Sequence, residues 1–134
     1  MTRLDDWHAR LAAYVYEAGR TPFAYGAHDC ALFAAGAVAA MTGTDLASDW
    51  RGRYRTLAGG LKAVKRAGHA DHVALAAHHF AEVAVAEAMP GDLAVVAGPE
   101  GPALGVVQGA QVYVATPTGL GLVPLLQAAR VFRV

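Results

Sequence analysis

The spacing of apolar positions changes once along the chain. Up to Phe80 it follows the 3.6-residue period of helices, and after Phe80 it breaks into short β-rich runs. Between Leu4 and Ala18 the larger apolar residues Leu4, Trp7, Leu11, Tyr14 and Val15 fall on one helical face, with Gly19 as the stop. Pro22 restricts a loop from Arg20 to Gly26. Cys30 to Met41 carries no charge and is apolar all round, which predicts a buried central helix whose alanines and Gly36 let neighbours come close, ended by Gly43. Thr56 to Ala67 predicts a third helix with Leu57, Leu61 and Val64 inward, broken by Gly68.

The later runs are Glu82–Ala86, Leu93–Val96, Leu104–Val107, Gln111–Ala115, Gly121–Val123 and a last strand at Val131–Val134. Turn residues separate them: Met89-Pro90-Gly91-Asp92, Gly98-Pro99-Glu100-Gly101-Pro102, Gly109-Ala110 and Thr116-Pro117-Thr118-Gly119. Helices first and an antiparallel meander afterwards predict an α+β fold, with the Cys-bearing helix packed on the meander. Repeats and low-complexity segments are absent. The 134 residues are expected to form a single domain, 1–134, with a core that needs no metal or disulfide.

Eleven Lys plus Arg balance eleven Asp plus Glu, leaving no net field to hold nucleic acid or an anionic membrane. Charged residues are 16% of the chain, against roughly 25% in ordinary soluble domains. A surface covered by a partner and an alanine-rich, GC-rich genome explain this equally well. One cysteine makes no internal disulfide. The start, Met1 to Trp7, lacks a signal peptide's charged and apolar regions, and no apolar run approaches the roughly 20 residues of a membrane helix. Synthesis in a cytoplasm without a signal peptide is the expectation.

The candidate chemistry gathers at Tyr25-Gly26-Ala27-His28-Asp29-Cys30-Ala31-Leu32-Phe33. With Asp29 as N-cap, Cys30 opens the helix, where unpaired N–H groups and the dipole favour a thiolate. A nucleophile also needs a base. His28 is adjacent, but a residue two positions before a helix start usually points away from the first side chain. Asp45, Asp49, Arg51, Arg53 and Arg55 form either a substrate-facing rim or, as the favoured reading, a solvated loop in which an Asp caps and an Arg ties down the backbone. His69, His72, His78 and His79 include one pair, His69 and His72, at one-turn spacing on a helix. No acidic or cysteine ligand matches that spacing, so neither a metal nor a cofactor is called for.

Asp29-Cys30-Ala31-Leu32-Phe33 resembles the Asp-Cys-Ser-Gly-aromatic nucleophile motif of the NlpC-like branch of the papain fold. Pro90-Gly91-Asp92-Leu93 resembles the turn before that branch's catalytic-histidine strand. Thr42-Gly43-Thr44-Asp45 with Arg51-Gly52-Arg53-Tyr54 resembles a small family allied to NlpC and encoded beside tail-tip genes of tailed phages and gene transfer agents. The resemblance implies a cysteine peptidase fold acting on cell-wall peptides, with Cys30 as nucleophile. It places the base histidine at the start of the strand Ala103–Val107, where this chain has Ala103, and no histidine follows His79. His79 and His78 remain the substitute bases to examine.

Two functions follow from the resemblance. One is a tail-tip component with a degenerate site, whose partners are other tail-tip or baseplate proteins within a virion tail. The other is an active cysteine peptidase or amidase that cleaves peptidoglycan during cell entry. They differ in whether Cys30 has a base, which is typically worth about 10²–10⁴-fold in rate.

Overall fold

The computed structural model describes residues 1–134 and is an α+β fold of four helices and a six-stranded antiparallel sheet. Helices α1 (Trp7–Ala18), α2 (Cys30–Thr42), α3 (Leu57–Arg66) and α4 (His72–His79) come first. Strands β1 (Glu82–Val83), β2 (Leu93–Gly98), β3 (Gly101–Gln108), β4 (Gln111–Thr116), β5 (Gly119–Pro124) and β6 (Arg130–Phe132) follow, with short 3₁₀ turns at Val85–Glu87 and Leu125–Gln127. The sheet order is β1-β6-β2-β3-β4-β5. The expected meander is β2 to β5, while β6 returns to insert between β2 and β1. No helix is long and apolar enough to cross a membrane.

The central helix is as its composition predicts. Asp29 caps it, Gly43 ends it in the left-handed region, and Leu32, Phe33, Ala34, Ala37, Val38 and Met41 are buried. Phe33, Ala37, Val38 and Met41 share one core with Leu11 of α1 and with Leu93, Val95, Leu104, Val106 and Phe132 of the sheet. Tyr14 of α1 lies over Gly36, and its hydroxyl donates to the Phe33 carbonyl at 2.8 Å. The other face of the sheet buries Ala94, Val96, Ala103, Val107, Val112, Val114 and Val131. Residues of the 3₁₀ turns, Val85 and Leu125, pack against it. Strand β2 is therefore buried on both faces, which explains why Leu93–Val96 reads as a continuous apolar run and not as an alternation.

Three elements differ from expectation. Helix α1 begins at Trp7 and not at Leu4, because the Leu4 N–H donates to the Met41 carbonyl at 2.8 Å and Arg3 is drawn to Asp92. Leu57 faces outward and α3 has no buried residue, so this helix is only partly docked. The run Glu82–Ala86 is a strand for two residues only. Beyond them the chain turns, bringing the Glu87 carbonyl to Arg133 at 2.7 Å.

Asp92, wholly buried, is the clamp on both termini. Its carboxylate accepts from Arg3 at 3.1 Å, Arg133 at 3.0 Å, and the backbone N–H groups of Met89 at 2.9 Å and Val134 at 3.1 Å. A buried carboxylate is tolerated because every bond it needs is made. Gly91 beside it has φ +89°, and a Cβ there would crowd the Met41 sulfur and the Arg3 guanidinium. Asp92→Ala strands two backbone donors and two guanidinium groups, of which the cations reach water. The expected loss is about 2–4 kcal/mol in urea unfolding, with Asp92→Asn intermediate. A loss under about 1 kcal/mol for Asp92→Ala would contradict this role.

Candidate active site at the start of the cysteine helix

The loop before α2 folds on itself through Ala24 and His28, whose backbone groups exchange bonds at 3.1 and 2.8 Å with Ala24. Asp29 then turns its carboxylate inward. One oxygen accepts from the Leu32 N–H at 2.9 Å and the other from the Gly26 N–H at 3.1 Å and the Tyr54 hydroxyl at 2.5 Å. Gly26 has φ +82°, and a Cβ on it would run into the Tyr54 carbonyl, so the loop and the Tyr54 segment meet backbone to backbone. Gly52 N–H donating to the Gly26 carbonyl at 2.8 Å completes the seam.

Tyr25 latches the same loop to the β2–β3 turn, its hydroxyl donating to Glu100 at 2.6 Å. That bond, followed by burial, pushes the Tyr25 phenol up to about 12. Cys30 packs against the cluster that contains Ala103, and the Leu104 backbone amide is among the groups that favour its thiolate. Ala103 opens the buried part of β3.

The expected ease of ionisation is corrected here. Burial is the largest influence on Cys30 and pushes its thiol above the ordinary value. The neighbouring Asp29 charge acts in the same direction, while the N–H groups of Leu104, Ala31 and Cys30 itself only partly offset it. Helix-start donors are present, but the site is too apolar and too close to a fixed anion for them to prevail.

No histidine is among the groups acting on Cys30. His28 sets its ring edge-on to Phe33 of α2, with ring centres 6.0 Å apart. Burial pulls its value down. His78 and His79 end α4, with ring centres 5.1 Å apart, and His69 stands 5.2 Å from His78. Burial first, then the nearby His78 and His69, lower the value of His79. Neither His78 nor His79 is hydrogen-bonded to Cys30. His69 precedes α4 and does not share a helix with His72, so the one-turn pairing is also corrected; no three His, Cys, Asp or Glu side chains converge as a metal site.

His79 instead lines an apolar groove of about 580 Å³, counted with its open side, between α2, α3 and α4. Ala31, Trp50, Tyr54, Val64, His72 and Leu104 share its walls, and Cys30 does not. His72 Nε2 is buried without a hydrogen-bond partner. The charged segment is a loop, as the favoured reading expects, but its Arg51 ties down a carboxylate and not the backbone, and Asp45 closes a turn and does not cap a helix. Arg51 forks Asp45 at 2.8 and 3.2 Å, and Asp45 also accepts from the Ala47 N–H at 3.0 Å. The bonds that Tyr54 and Tyr25 make were not legible, since their partners Asp29 and Glu100 lie 25 and 75 positions away.

The fold and site define an α+β domain with a capped cysteine helix set against an antiparallel sheet. The chain belongs to the DUF6950 family, whose model, described as a domain of unknown function, matches residues 2–134. No curated protein matches it.

Because a raised thiol value leaves little thiolate at neutral pH, Cys30 should react with iodoacetamide more slowly than a free cysteine at pH 7.5, and faster as pH rises into the alkaline range. Asp29→Asn removes the neighbouring charge, lowers the thiol value and speeds the reaction. A wild-type rate at or above that of free cysteine, or a slower reaction in Asp29→Asn, would overturn this assignment.

Proposed function

We propose that this chain has an NlpC-like, papain-type fold with a degenerate catalytic site, and serves as a structural component of the tail tip of a phage or gene transfer agent. The supporting observation is the packing of Cys30 against the cluster that contains Ala103 of β3, with the Leu104 amide acting on its thiol. In NlpC-like enzymes the base stands at the start of that strand; here the residue at the start of its buried part is Ala103, which carries a methyl group. The remaining features of the site are architectural. Asp29 is consumed by capping and by Tyr54, and the Pro90-Gly91-Asp92 turn by the termini. The tail-tip role rests on the resemblance of Thr42–Asp45 and Arg51–Tyr54, the second of which braces the cysteine loop through Gly52 and Tyr54.

Purified peptidoglycan incubated with wild type and with Cys30→Ala should release no muropeptide in either case. Ala103→His should place an imidazole beside the thiol and raise iodoacetamide reactivity at pH 7 by at least about tenfold, through a thiolate–imidazolium pair. Release by wild type that Cys30→Ala abolishes would establish the active peptidase instead. A folded Ala103→His protein with unchanged reactivity would remove Ala103 from the base position.

A further inference from the structure

The two edges of the sheet are built differently. At one edge, β1 is two residues long, and Glu82 accepts from Arg130 at 3.1 and 2.8 Å, so the edge is short and charged. At the other, β5 is six residues long. From Gly101 through Ala129 no residue carries a charge. No backbone bond outside the β4–β5 ladder engages Leu120 to Val123. Leu122 is 58% exposed, and Leu126 in the following 3₁₀ turn is 92% exposed.

Sheets ordinarily shield an edge with charge, proline, a bulge or a covering element. On β5 the only such device is Pro124, at its end. Gly121, at the middle, is not required by the fold itself. A Cβ there would meet only ordinary contacts, Thr116 Cγ2 at 3.5 Å and the Val114 carbonyl at 3.8 Å. A dispensable glycine in an edge strand marks a place where another backbone comes close.

We propose that β5 pairs antiparallel with β5 of a second copy of this chain, around a two-fold axis at Leu122, to form one continuous sheet across a dimer. That axis sets Leu122 against its own copy, and Gly121 against the partner's Val123, where the absent side chain leaves room. A second copy is the occupant that suits the edge, since an uncharged strand meets itself without like-charge repulsion and offers nothing to hold a charged one. The guarded β1 edge keeps the pairing from continuing into a filament.

Sedimentation velocity on the full chain should give a dimer. Leu122→Lys, which sets two cations face to face at the axis, should weaken it at least about tenfold while the circular dichroism spectrum is unchanged. The variant combining Cys30→Ala with Leu122→Cys should form a disulfide-linked dimer on oxidation, and this decides the matter if Leu122→Lys fails to fold. A wild-type monomer at every soluble concentration would overturn the proposal. So would a dimer indifferent to Leu122→Lys, or one that does not cross-link.

Discussion

A single buried carboxylate, that of Asp29, fixes the start of the cysteine helix to two other parts of the chain. It caps α2 at Leu32, closes the preceding loop at Gly26 and receives the hydroxyl of Tyr54. Burial, then the bond to Asp29, holds the Tyr54 phenol well above its ordinary value, so Tyr54 stays a donor at any physiological pH. The three bonds offset the desolvation of the carboxylate, and none can be removed without leaving a buried oxygen short of a partner. The same charge sits beside Cys30 and disfavours its thiolate. What stabilises the local architecture therefore works against nucleophilic chemistry at Cys30.

Asp92 plays the corresponding part at the far end of the sheet. It gathers Arg3, Arg133 and the Val134 N–H at the turn that opens β2, so that the first and last residues share one anchor. Between these two carboxylates lie the apolar contacts of α2 with β2 and β3, which need no polar partner. The molecule thus places its few buried charges where loops must be held in register and leaves the interior between them apolar.

Much of this was legible in the sequence, for local reasons. The uncharged run from Cys30 to Met41 bounded by Asp29 and Gly43 can only be a buried capped helix, and glycine and proline mark each turn of the meander. The place of Cys30 at the start of that helix was readable as well. What escaped is long-range. Nothing near Arg130 announces that β6 inserts between β1 and β2, nothing near Arg3 points to Asp92, and Tyr54 gives no sign of Asp29. The thiol was misjudged for the same reason. Its helix position is local and visible, whereas its burial against the sheet is set by residues more than sixty positions on.

The most direct test is a double-mutant cycle between Asp29→Ala and Tyr54→Phe, read by urea unfolding. If the Asp29 carboxylate couples the cysteine helix to the Tyr54 segment, the two losses will fall short of adding by about 1–3 kcal/mol, the range for a hydrogen bond to a charged group. Losses that add to within about 0.3–0.5 kcal/mol would contradict that account and detach Asp29 from the architecture it is assigned to hold.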